Sequence, residues 1–269
     1  MKKRLARSSA RLCHPIVAAG AILLAGLANP VFAGSAHLSA IADNTLYETV
    51  DGSLSNGAGQ HFFSGAAGGG AAHRGLLAFD VASHVPPGST ILAATLTLHM
   101  SRSSNPSSQT VTLHRASASW GEGASDAAGN EGGGAPAATG DATWLHRFHD
   151  ATTWSSVGGD FALGASASAA IGDTGFYIWS GPGLVADLQS WLDAPSQNFG
   201  WILLGNETPG TSKRFDSRTH PAPAARPVLE VQFATPVPAG SRTSMASLAL
   251  LLAITAAFAL RTRQVPRRR

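Results

Sequence analysis

What most constrains this chain is a series of short runs in which apolar and polar residues alternate, each closed by a turn. Residues 90–100 (TILAATLTLHM) put Leu92, Ala94, Leu96, Leu98 and Met100 on one side and Thr95, Thr97 and His99 on the other. Residues 74–81 (RGLLAFDV) alternate Leu77, Phe79 and Val81 with Arg74, Ala78 and Asp80. Residues 110–116 (TVTLHRA) set Val111, Leu113 and Arg115 against Thr112 and His114. A period of two fits an extended strand with one buried face and spreads apolar groups all around a helix. Weaker runs lie at residues 39–50, 60–64, 175–180, 200–204, 213–217 and 228–233, with turns such as Pro86-Pro87-Gly88 between them. Such spacing predicts an all-β, antiparallel β-sandwich, with a jelly-roll-like arrangement preferred.

One stretch breaks the pattern. In residues 183–195 (GLVADLQSWLDAP), Leu184, Val185, Leu188, Trp191 and Leu192 share a face at helical spacing, with Asp187, Gln189 and Ser190 opposite. Ser180 is placed to cap this helix, Pro182 suits its first turn, and Pro195 stops it. One short capping helix over a β core is the expectation.

Both ends read as targeting segments. Residues 1–33 have a basic start, an apolar run from Ile16 to Leu27 and the small-residue end Val31-Phe32-Ala33, the pattern of a secretory signal helix cut after Ala33. Residues 244–260 are apolar and uncharged, and Arg261, Arg263 and Arg267 to Arg269 follow. This predicts a C-terminal transmembrane helix with a basic cytoplasmic tail, residues 261–269, and the bulk of the chain outside. Residues 34–39 and 234–243 are expected as linkers around a domain at residues 40–233. The single cysteine, Cys13, precedes the apolar run of the signal, so no disulfide is expected in the mature chain.

Charge sorts in the same way. The whole chain carries a formal +3 from 19 Lys and Arg against 16 Asp and Glu. Residues 34–239 hold only 8 of those basic residues and all 16 acidic ones, a formal net charge of −8. A nucleic-acid partner therefore loses its electrostatic basis. The only basic concentration in this part is Lys213, Arg214, Arg218 and Arg226.

Taken in order, Asp43, Asn56-Gly57, RGLLAFDV, ILAATLTLHM, Trp120-Gly121-Glu122-Gly123, Thr143-Trp144, Trp154, Gly158-Gly159-Asp160-Phe161, GLVADLQSWL, NFGWILL, Ser217-Arg218 and ARPVLEVQF resemble the DNRLRE-type domain, also grouped as carbohydrate-binding module family 96. The resemblance spans residues 40–233. It implies a secreted β-sandwich accessory domain, some of whose relatives bind acidic polysaccharide such as alginate. Where members tend to carry Ser-Arg-Glu, this chain has Ser217-Arg218-Thr219, so a role resting on that Glu does not transfer. The tail resembles the three-part sorting signals of the PEP-CTERM kind, processed by a sorting transpeptidase of the exosortase class. The motif here is Val237-Pro238-Ala239-Gly240, without the Glu-Pro of that kind.

Catalytic signatures are absent: no G-x-S-x-G, H-E-x-x-H or phosphate-cradling loop occurs. Glu122 with Asp126 and Asp141 with Asp150 are carboxylate pairs, but the separation in space that glycoside hydrolysis needs is not set by the sequence. The expectation is a noncatalytic module recognising or displaying polysaccharide at the cell envelope. A purely structural surface protein is the alternative, and a polysaccharide-active enzyme the third reading. Candidate ligand contacts are Lys213, Arg214 and Arg218, suited to the carboxylates of an anionic polymer, with Trp144 and Trp154 as stacking platforms; the alternatives are that the tryptophans pin long loops onto the sandwich and that Arg218 pairs with an acidic side chain to brace the last strands. No cofactor is called for, although a structural calcium ion is compatible with the loops. No metal ligands are assigned: His146, His149 and Asp150 in HRFHD would converge on a metal only if helical, and His73, His99, His114 and His220 read as scattered surface residues. The Gly/Ala-rich residues 57–75 and 121–140 read as loops, the second a candidate for disorder.

Overall fold

The computed structural model describes residues 32–236. They form β1 (Phe32–Tyr47), β2 (Leu54–Ser55), β3 (His61–Ala66), β4 (Ala72–Phe79), β5 (Thr90–Ser103), β6 (Gln109–Ala116), β7 (Ala135–Pro136), β8 (His146–Phe148), β9 (Thr152–Thr153), β10 (Phe161–Ile171), β11 (Gly175–Ser180), α1 (Pro182–Asp193), β12 (Trp201–Leu204), β13 (Lys213–Asp216) and β14 (Val228–Thr235). This part of the chain is all-β with antiparallel pairing and one α-helix, as the alternation predicts. The expected signal and transmembrane segments lie outside the described residues, apart from Phe32 and Ala33 at the start of β1. Among the described residues no helix is long and apolar enough to cross a membrane.

Two strands serve both halves of the sheet. The first half of β1 pairs with β14 and its second half with β4, across an irregularity between Ala40 and Ala42. β3 pairs with β13 through residues 61–64, then with β4 through Gly65 and Ala66. From β4 the pairing continues through β12 and β6 to β10. β5 pairs with β14, β13 and β11. Residues 34–39, expected as a linker, are strand: Leu38 is buried and the backbone is fully paired with β14.

The main apolar cluster draws on both halves. Leu96, Leu98 and Met100 of β5, Leu229 and Val231 of β14, Phe215 and Trp179 meet Leu77, Phe79, Trp201, Leu203, Val111, Leu113 and Ile171. The helix closes it with Leu184, Leu188, Trp191 and Leu192, and the Trp191 and Trp201 rings lie 4.5 Å apart, tilted by 58°. Burying aromatic area on this scale is the main source of stability in a chain with no disulfide. Asp187 on the helix is buried as well. Its carboxylate accepts from Trp201 Nε1 at 2.8 Å and from the Ser166 hydroxyl.

Two local expectations fail for identifiable reasons. Leu92, placed inward by strict alternation, is 55% exposed while Ile91 is buried. The pairing slips opposite Gln232 and Phe233, so β5 holds an extra residue there and the faces exchange. The displaced Ile91 N–H donates to Gln189 Oε1 of the helix at 2.9 Å. Ser180 does not cap α1. It ends β11, and the N-cap is Gly181 at φ 139°, with Pro182 in the first turn.

A second apolar cluster lies on the other side of the β4–β12–β6 strands. Leu46, Leu76, Ile202 and Ala116 are covered there by the long connection that follows β6, through Ala142, Trp144 and Trp154. This connection contains residues 121–140, read from composition as a candidate for disorder. Buried polar side chains fasten it instead. Asp141 accepts from the backbone N–H of Ala124 and Ala138, both at 2.8 Å, and Asn56 Oδ1 accepts from Ala127 N at 2.8 Å. Gly123, at φ 78°, is required at this point, because a Cβ would lie 1.4 Å from Asp141 Oδ1.

Candidate functional site

The short strand β13 organises the polar chemistry of the molecule. Phe215 faces the core and stacks on Phe62 at 5.5 Å, so Arg214 and Asp216 take the opposite face. Lys213, the first residue of the strand, shares the inward side and is 1% exposed. Its ammonium donates to Ser103 Oγ at 2.7 Å and to the carbonyls of Asn105 at 2.6 Å and Gly172 at 2.9 Å. Burial lowers its pKa, against the pull of Asp173. Lys213 therefore ties loops together, its charge turned onto these protein oxygens.

Arg214 sits directly opposite Arg102 in the β13–β5 pairing. Both line an open concavity of about 210 Å³ together with Phe63, His73, Asn130 and Ser212. Arg214 Nε donates to Ser101 Oγ at 3.2 Å, and Arg102 Nη1 to Asn130 Oδ1 at 2.8 Å. Burial and then the charge of Arg102 push the Arg214 pKa down, while Asp216 and Glu131 pull it up. Like charges directly opposite on adjacent strands are unfavourable, and an anion bound between them would relieve the arrangement. On the neighbouring β11, Phe176 and Ile178 are each 58% exposed, and the Phe176 ring lies 4.6 Å from His99.

Arg218 lies beyond the end of β13 and belongs to a brace. Its guanidinium forks onto Glu122, with Nε 2.5 Å from Oε1 and Nη2 on Oε2, while its backbone N–H donates to Asp43 Oδ2 at 2.7 Å. The Asp43 N–H in turn donates to Glu122 Oε1 at 2.9 Å. Three segments distant in sequence are thereby locked: the middle of β1, the loop after β6 and the turn after β13. Burial raises the Asp43 pKa to about 7, against the Arg218 N–H bond and with the help of the Glu122 charge.

Trp144 and Trp154, expected as stacking platforms, are 7% and 5% exposed. Trp154 Nε1 donates to Thr143 O at 2.9 Å, and the Arg74 guanidinium covers the Trp144 ring at 4.7 Å. Trp120 is likewise tied down, through Nε1 to Phe199 O at 2.8 Å. These rings hold the long connection onto the sheet. A larger open cleft of about 660 Å³ lies beside them, lined by Arg74, Arg147, Ser155, Asp160, Phe161 and Leu163. Arg74 is already spent on Glu207, at 2.7 Å.

The HRFHD segment is a short strand and turn, with Asp150 at φ 65°. The His146 and His149 rings meet edge to face at 5.2 Å, and His146 Nδ1 is 3.1 Å from Thr143 Oγ1. The helical geometry that would have aimed these residues at one ion is absent. A different histidine cluster forms around Asp216. His61 is its strand partner across β3–β13, His99 reaches it from β5 and His220 from the turn that follows. His99 Nδ1 is 2.6 Å from Asp216 Oδ2, while His61 Nε2 and His220 Nε2 are 3.5 Å and 3.7 Å from Oδ1. His73, read as a surface residue, is buried, and burial lowers its pKa to about 4.

Sequence reasoning missed His61 and Arg102 altogether. Neither has a local signature, because each joins its site only through the register of a neighbouring strand. No protein-family model matches the chain, and no curated protein resembles it closely enough to count as a match.

Proposed function

We propose that this protein is a secreted, surface-anchored and noncatalytic polysaccharide-recognition module, whose two packed halves make a jelly-roll-like β-sandwich of the DNRLRE type. The observation that carries this reading is the cross-strand pair Arg102 and Arg214. Two guanidinium groups line one concavity on a part of the chain that is otherwise net acidic. Arginine presents a planar fork that matches a carboxylate, and uronic-acid polymers carry one carboxylate per residue. The exposed Phe176 and Ile178 on the adjoining strand offer an apolar surface for a sugar ring. Of the five contacts expected from sequence, Arg214 keeps its role in this proposal. Lys213, Arg218, Trp144 and Trp154 are assigned to the scaffold.

Residues 1–33 would export the chain, and residues 244–260 with the arginine tail would hold it in the membrane until a sorting transpeptidase acts. The function is tested on a glycan array. Binding confined to acidic glycans and lost in Arg214→Ala and Arg102→Ala supports the proposal. A flat array leaves a structural surface protein as the better account, and turnover of a polysaccharide would make it an enzyme.

A further inference from the structure

We propose that His61, Asp216 and His220 form a binding site for a divalent zinc-class metal ion. The inference is independent of the polysaccharide reading. Asp216 is 1% exposed, and its Oδ1 accepts no hydrogen bond among the described residues. The polar atoms facing it are His61 Nε2 at 3.5 Å and His220 Nε2 at 3.7 Å. Both separations are too long for a good hydrogen bond. They suit two ligands of one tetrahedral ion, which at metal–ligand distances near 2.1 Å stand roughly 3.4 Å apart. One ligand atom from each of the three residues falls within 4.8 Å of the other two.

The surroundings have the form of a metal's outer shell. His61 Nδ1 lies 3.1 Å from Glu131 Oε1, off the direction of a hydrogen bond but within ion-pair range. A carboxylate there favours the proton on Nδ1 and leaves the Nε2 lone pair turned to Asp216. With Nε2 unprotonated, two lone-pair atoms face each other in a buried site, an arrangement that a cation between them would satisfy. His99 donates Nδ1–H to Asp216 Oδ2 and so orients the carboxylate from behind. His220 Nδ1 accepts from the Ala222 N–H at 3.3 Å and lies 3.5 Å from Ala222 O. With Nε2 on a metal, Nδ1–H would turn to that carbonyl.

Glu131 is built into this position at a cost. Its backbone is left-handed, φ 63°, which a non-glycine residue adopts rarely. The strain is offset by hydrogen bonds to its carboxylate from Asn56 Nδ2 at 2.8 Å and His61 N at 2.9 Å, and to its carbonyl from the Tyr47 hydroxyl at 2.8 Å. Two imidazoles and one carboxylate favour zinc, cobalt or nickel over calcium or magnesium, which prefer all-oxygen shells. Three protein ligands leave a coordination position open on the side of the partly exposed His220.

The test is titration of the full chain, without a polyhistidine tag, with Zn²⁺ by calorimetry and with Co²⁺ by visible absorption. The expected result is one ion per chain, intense tetrahedral Co²⁺ bands and a higher melting temperature with Zn²⁺. His220→Ala should weaken Zn²⁺ binding at least tenfold while the metal-free melting temperature holds, since His220 sits at the surface end of the cluster. Asp216→Asn should abolish binding. His146→Ala, in the other histidine pair, should leave the titration unchanged. Absence of stoichiometric binding, or binding that survives His220→Ala and disappears in His146→Ala, would overturn the assignment.

Discussion

Replacing Arg218 by alanine separates a brace from a ligand contact. The variant keeps the backbone N–H bond to Asp43, since that donor belongs to the main chain. It loses both guanidinium bonds to Glu122, whose side chain is 17% exposed. A charge-assisted bond is worth about 1.5–3 kcal/mol, and removing one partner of a fully buried pair costs about 3–5 kcal/mol. Arg218 itself is 35% exposed, so water reaches the vacated side and the Glu122 carboxylate keeps the Asp43 N–H as a donor. The expected loss is therefore about 2–3 kcal/mol, or roughly 5–10 °C in melting temperature for a domain of this size. Calorimetric or circular-dichroism melting measures it, and the Arg218→Ala/Glu122→Gln double variant should show non-additivity above about 1 kcal/mol. A melting temperature within about 1 °C of the parent, with impaired glycan binding, would refute the brace and return Arg218 to the ligand site.

The remaining predictions concern pH, packing and anchoring. Asp43, raised to about 7, holds its proton in the folded state over a range where the unfolded chain has lost it, so its contribution to stability falls as pH rises from about 4 to 7. His73, lowered to about 4, works in the opposite sense, adding stability as pH rises from about 4 to 6.5. The two largely cancel in the parent, and Asp43→Asn should expose the His73 slope of about 1.4 kcal/mol per pH unit in urea midpoints at pH 4.5 and 6.5; parallel profiles would sink the argument. Trp191→Ala should cost about 3–5 kcal/mol by opening a cavity against Trp201, and an unchanged denaturation midpoint would show that α1 does not seal the core. Deleting residues 244–269 should release the chain into the medium on cell fractionation, and retention would point to another anchor.

The class of fold was legible because period-two alternation is local: each strand reports its own buried face. The helix was legible for the same reason, through Leu184, Leu188, Trp191 and Leu192 at their helical spacing. Leu92 was misplaced because the bulge opposite Phe233 belongs to a strand pair and not to one run. The functional groups were harder still. His61 meets Asp216, and Arg102 meets Arg214, only through registers between strands far apart in sequence. The tryptophans left two readings open, stacking platform or loop anchor, and their burial favours the anchor. Trp144 and Trp154 follow the Gly/Ala-rich residues 121–140, and the buried acceptors that fold this connection down, such as Asp141, look in sequence like ordinary surface acids.

The central proposal is that the Arg102–Arg214 concavity recognises carboxylated sugars. Titrating the full chain with a defined oligouronate, at low and at physiological salt, tests it most directly. The account predicts saturable binding that weakens with salt and falls at least tenfold in Arg214→Ala and in Arg102→Ala, since each lost fork removes about 1.5–3 kcal/mol, while both variants melt within a few degrees of the parent. Equal affinity in the parent and both variants, or no binding to any uronate by a folded parent chain, would contradict it.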